Sequence, residues 1–165
     1  MGPRAEFILS ATLSGAVVAL LGYAVASWMV FEQTPAEIAG NGARWCPSGA
    51  LAALPAAWLV SAWQARAERA GRRWSARGMA LRGTGLALLL YPLAVVAWVL
   101  ATGAVDQQLA SGGVPLRELA PWLPSIVFGA TLAALLVGTW PAFFSAFVLC
   151  RRYLRRRGGS TTDIA

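Results

Sequence analysis

"GTGLALLLYPLAVVAWVLATGAV", Gly83 to Val105, runs for about 23 residues without a charged side chain. A helix needs about 20 apolar residues to cross the hydrocarbon core of a bilayer, so this stretch alone predicts a transmembrane span. Three other runs read the same way: Phe7 to Phe31, about 25 residues, Pro47 to Gln64, about 18, and Trp122 to Cys150, about 29. The second barely reaches the required length, and the fourth exceeds it enough to imply tilt or an overhang. No ten-residue alternation suggests a barrel, and backbone in lipid must satisfy its own hydrogen bonds. The expected fold is an all-α integral membrane protein with four transmembrane helices, forming one domain over 1–165.

Composition agrees. Charged residues make up 13% of the 165 and hydrophobic residues 58%, whereas soluble domains carry about 25% charged residues. Every basic residue is arginine and histidine is absent. With abundant alanine, this resembles the coding bias of a GC-rich bacterium, and a bacterial cytoplasmic membrane is the expected location. The first run has Arg4 ahead of it and an Ala-x-Ala at Ala24 and Ala26, as a secretory signal would. It continues through Trp28, Met29 and Phe31, beyond a 7–15-residue signal core, so a retained span is expected.

Arginine placement predicts orientation. The segment Ala65 to Arg82 holds six arginines against Glu68, and the stretch after Cys150 holds five against Asp163. The other two connections are slightly acidic: Glu32, Glu37 and Arg44 in one, Asp106, Arg117 and Glu118 in the other. Arginine-rich connections stay cytoplasmic. Both termini are therefore expected inside, with the connections 32–46 and 106–121 outside.

The two halves resemble each other. "GAVVALLGY" at Gly15 to Tyr23 aligns with "GTGLALLLY" at Gly83 to Tyr91. An acidic-Gln pair follows each, then Trp-x-Pro-Ser at Trp45 to Ser48 and Trp122 to Ser125, then "GALAAL" or "GATLAAL". Recurrence in one order suggests a duplicated hairpin, with halves of approximately 7–82 and 83–157 and a flexible tail at 158–165. Two-span copies keep one orientation, so the repeat would be parallel.

Several local features have structural readings. Trp45 and Trp122 suit the outer headgroup layer, Pro47 and Pro124 suit a first helical turn, and Ser48 and Ser125 can satisfy a first-turn donor. These six residues are the expected outer-interface anchors. Pro55, Pro92 and Pro141 interrupt spans and can kink them, which neighbouring helices tolerate. Ala11, Gly15, Ala19, Gly22 and Ala26 form a small-residue stripe on the first span, and Gly129, Ala133, Gly138 and Ala142 one on the last. Such stripes are expected helix-packing faces. The arginines at 66, 69, 73 and 77 predict a helix continuing out of the second span with one basic face, Trp74 and Met79 dipping into headgroups. Arg66, Arg69, Arg73, Trp74 and Arg77, with Arg151, Arg152, Arg155, Arg156 and Arg157, are the expected contacts to anionic lipid or an acidic partner.

Chemistry is narrowed by elimination. Without histidine the commonest general base and metal ligand is missing. Cys46 and Cys150 fall on opposite sides of the membrane, too far apart for a disulfide. No carboxylate is expected mid-membrane, where it would suggest an ion path. No phosphate loop, nucleophile elbow or zinc motif occurs, so no catalytic, cofactor-binding or metal residue is assigned. Eight tryptophans is a high count that an aromatic belt mostly explains, while Trp58 and Trp140 lie deeper and call for a partner for the indole N–H or the face of a bound lipid, quinone or pigment. Bound lipid and other membrane subunits are the expected partners, and nucleic acid is not. Two functions survive. One is a non-catalytic accessory, assembly or stabilising subunit of a larger inner-membrane complex, respiratory or photosynthetic for example. The other is a small oligomeric channel, exporter or lipid-handling protein with apolar cargo.

Overall fold

The computed structural model describes residues 2–30, 34–109, 118 and 120–159. They form α1 (Pro3–Val30), α2 (Pro35–Arg69), α3 (Ala76–Leu109), α4 (Leu123–Ala133) and α5 (Thr139–Gly159). A π-helical turn, Ala134–Gly138, joins α4 to α5, so the last two make one long fourth helix. All four expected spans are present as helices long and apolar enough to cross a membrane. The weakest is the second, with a mean hydropathy of 1.2 against 1.9 to 2.1 for the others. Glu32, Gln33 and Arg117 lie outside the described residues, as does the tail beyond 159. Gly158 and Gly159, expected in that tail, belong to the last turn of α5.

The helices run antiparallel in a ring, α1 beside α2, α2 beside α3, and α3 and α1 both against the fourth. Both described chain ends and the α2–α3 connection meet at one end, held by ion pairs across helices. Arg152 reaches Glu6 at 2.9 Å, Arg156 reaches the other oxygen of Glu6, and Arg157 reaches Glu68 at 2.7 Å. Arg4 donates to the buried Ser61 hydroxyl at 3.1 Å. Beneath these charges sits the main core cluster: Phe7, Ala57, Val60, Met79, Ala80, Cys150 and Tyr153. At the far end Arg44 pairs with Asp106 at 3.0 Å, and the Trp98 indole N–H donates to the Arg44 carbonyl.

Two sequence expectations need correction. Pro47 does not begin a helix. α2 starts twelve residues earlier, where Thr34 caps it, Pro35 opens the first turn and Glu37 reaches back to the Thr34 amide. That reciprocal cap satisfies the first-turn donors, and the polar stretch to Arg44 is helical although it lies outside the apolar run. Three turns ahead of that run, the bond from the Thr34 amide and that from its hydroxyl hold the Glu37 carboxyl below the usual carboxylate range. Ser48 lies inside the helix, its hydroxyl donating to the Trp45 carbonyl at 2.7 Å. Trp122, in contrast, does stand at a helix start, with Pro124 in the first turn. The two Trp-x-Pro-Ser motifs thus occupy different positions.

The second correction concerns the basic segment. α2 ends at Arg69, Gly71 turns the chain with φ of 72°, and α3 begins at Ala76. Only glycine adopts that backbone routinely. Arg66 and Arg69 therefore lie on α2, Arg73 on the connection and Arg77 on α3. Met79 is fully buried rather than in the headgroup layer. Trp74 packs against the core cluster under the Arg82 guanidinium, 4.0 Å from its ring.

Pro55 and Pro92 are absorbed in unbroken α-helix. Pro141 follows the π turn by three residues. Its missing N–H leaves the Val137 carbonyl without its α-helical donor, and the Thr139 hydroxyl bonds the Leu135 carbonyl at 2.7 Å within the widened turn.

Candidate functional site

α1 and α2 meet glycine on glycine. A Cβ placed on Gly15 would lie 2.5 Å from the Ala53 Cβ and 2.7 Å from the Gly49 carbonyl oxygen. One placed on Gly49 would collide with the Gly15 carbonyl. α1 and α2 therefore touch backbone to backbone, as small residues permit in membranes. The other helices do not close up in the same way. α1 lies against α5 and the π turn but barely meets α4, so the fourth helix splays from the first beyond the π turn.

Between the helices lies a cavity of about 740 Å³, inside the 300–1,000 Å³ range of ligand pockets. All nine residues of the two expected packing faces line it: Ala11, Gly15, Ala19, Gly22 and Ala26 from α1, and Gly129, Ala133, Gly138 and Ala142 from the fourth helix. Of these, Gly15 and Ala19 also make the tight α1–α2 contact, a Cβ placed on Gly49 lying 2.6 Å from that of Ala19. At Gly22 and Gly129 an added Cβ would meet nothing within 4 Å. Those two faces do not seal on each other; they face one space.

The π turn makes the second face continuous. In an α-helix each residue advances about 100°, so Ala133 and Gly138, five apart, would point well away from each other. The π turn takes up the extra residue, and four of its five residues, all but Leu135, join the wall.

Sequence reasoning missed the remaining walls. α2 contributes Gly49, Ala52, Ala53, Ala56 and Ala57, and α3 contributes Gly83, Thr84, Ala87, Leu88 and Tyr91. The signal was present on α2, where small residues recur at spacings of three and four within "GALAALPAA". Toward the arginine-rich end the core cluster closes the cavity with Phe7, Val60, Met79 and Cys150. Toward the far end it is bordered by Tyr23, Ser27, Met29, Trp45 and Ser125. No charged side chain is among the described lining residues.

Of the expected outer anchors, Trp45 and Ser125 line the cavity. Ser48 is buried, while Trp122 and Pro124 are exposed on the outside of the bundle. Arg152, Arg156 and Arg157 are spent on ion pairs with Glu6 and Glu68, and Arg66, Arg69, Arg73, Arg77, Arg151 and Arg155 are exposed. Trp58 and Trp140 look outward, 53% and 69% exposed, away from the cavity. Among the described residues no three His, Cys, Asp or Glu side chains gather as a metal site would require.

No protein-family model, curated protein or solved structure matches this chain.

Proposed function

We propose that this chain is a non-catalytic protein of a bacterial cytoplasmic membrane that holds a lipid-class apolar molecule between its helices. The cavity carries this reading: it is large, uncharged and open sideways where α1 and α4 diverge. Its lining offers water few polar partners, so a space of this size that opens to the hydrocarbon is filled by apolar chains and not by water. Lipid chains are the solvent at its opening.

Both termini are proposed to be cytoplasmic, on the arginine bias. A tandem hairpin origin stays in the proposal on the shared order of Gly, Tyr and Trp-x-Pro-Ser. A second reading keeps the chain as an accessory subunit of a larger complex, the cleft seating a partner's transmembrane helix. The small-residue walls of α1 and α4 favour it, since such surfaces admit a helix closely.

Native mass spectrometry of the protein released from mild detergent separates the two. A retained lipid-sized adduct on the chain, lost in the Gly22→Leu/Gly129→Leu variant, is the expected result. A bare chain, identical in the variant, would overturn the reading. A stoichiometric partner polypeptide in place of lipid would favour the subunit.

A further inference from the structure

We infer that the cavity selects an uncharged lipid, one whose head offers a hydroxyl or carbonyl, with that head at the far end and its chain along the α1–α4 cleft. The inference rests on the lipid-binding reading and adds the head's chemistry and its position. The cavity is closed toward the arginine-rich end by Phe7, Val60, Met79 and Cys150. Hydroxyl side chains also line the walls at Ser14, Thr84, Tyr91 and Ser145, but the far border lies at the level where α1 and α4 diverge, so a polar head is placed there without crossing the apolar interior of the cavity. The groups there are the hydroxyls of Tyr23, Ser27 and Ser125 and the indole of Trp45. All are neutral donors, three of them also acceptors.

Charge is absent from this border in a chain of net charge +7. The described charges nearest it along the helices are Arg44 and Asp106, which neutralise each other at 3.0 Å. An ionised head would have no opposite charge to meet, and burying it unpaired is costly. Hydroxyl and carbonyl heads, in contrast, find partners that exchange hydrogen bonds without desolvating a charge. Apart from Arg44, which is paired with Asp106, the exposed arginines described lie at the opposite end, where anionic phospholipid belongs to the surface and not to the cleft.

Probes that share one chain and differ in the head test this. Chain-brominated octadecanol, octadecanoate (at a pH where it is ionised) and octadecane are titrated into the detergent-solubilised protein. Bromine quenches tryptophan at short range. Subtracting the signal of a Trp45→Phe variant isolates quenching of Trp45 from that of the outward-facing tryptophans. The alcohol is expected to bind about tenfold more tightly than the carboxylate, the scale of one or two hydrogen bonds. The Tyr23→Phe/Ser27→Ala/Ser125→Ala variant should lose the alcohol's advantage over octadecane and leave octadecane binding unchanged. Saturable quenching with the carboxylate equal or preferred would overturn the head-group inference and leave the lipid cavity standing. An absence of saturable Trp45 quenching by all three probes would overturn both.

Discussion

Gly49 and Gly22 look alike in sequence, yet their surroundings assign them opposite tasks. At Gly49 a Cβ would enter the Gly15 backbone, which a flexible side chain cannot relieve by turning aside. Gly49→Ala is expected to push α1 off α2 and destabilise the bundle by about 1–3 kcal/mol, the usual cost of overpacking. Reversible unfolding in mixed micelles reads this directly. A change within experimental error would mean that the glycine contact is not close. At Gly22, and at Gly129 opposite, a Cβ has open space. Gly22→Leu should leave unfolding unchanged, or raise the midpoint by partly filling the cavity, while reducing lipid retention. The pair separates a glycine that holds helices together from one that keeps a space between them, a distinction the stripe at Ala11, Gly15, Ala19, Gly22 and Ala26 does not contain.

Helix boundaries and faces were legible to different degrees. The four spans followed from apolar length, because lipid leaves a charge-free backbone no alternative to a helix. The start of α2 was misplaced because hydropathy marks the edge of the hydrocarbon and not the end of the helix. Thr34-Pro35-Ala36-Glu37 is a readable capping box, and it outweighs Pro47, whose lost hydrogen bond the helix simply absorbs. Thr34→Ala should cost about 1 kcal/mol of local stability, seen as faster amide exchange in the first turns of α2 alone. The Glu37 carboxyl is held below its usual range, so its capping is complete above the unfolded value and fades as pH falls through the folded one. Unchanged exchange in Thr34→Ala would remove the cap from the account. The small residues of the fourth helix read as a packing face, yet they line the cavity, and their five-residue gap from Ala133 to Gly138 fails α-helical spacing. Nothing in the sequence short of Pro141 and Thr139 announces the π turn that repairs it. Deleting Leu135, half exposed and off the cavity wall, should turn the π turn into regular α-helix and preserve lipid retention. Inserting alanine after Ala133 should rotate α4 by about 100° and abolish retention. If the deletion is as damaging as the insertion, the π turn is not what aligns the face.

On the scale of the whole chain, the charge asymmetry survives ion pairing. The end that gathers the described termini and the α2–α3 connection carries twelve arginines, and only Glu6 and Glu68 oppose them there within the described residues. Each arginine near an anionic leaflet contributes about 1 kcal/mol, so exchanging the two ends across the membrane would forfeit several kcal/mol even with three arginines engaged. The native cysteines are a poor test of that orientation. Cys150 is 2% exposed within the core cluster, so it would resist labelling on either side, and Cys46 is only half-exposed in α2. Exposed single cysteines in a Cys46→Ser background serve better: Ala43→Cys at the far end, Arg73→Cys and Arg155→Cys at the arginine-rich end. In intact cells a membrane-impermeant maleimide should modify Ala43→Cys within minutes, and the other two only after permeabilisation. The reverse pattern would invert the topology, moving the arginine-rich end to the outside and the neutral border of the cavity to the cytoplasmic leaflet. The bundle and its lipid cavity would survive that result; only the leaflet from which the ligand enters would change.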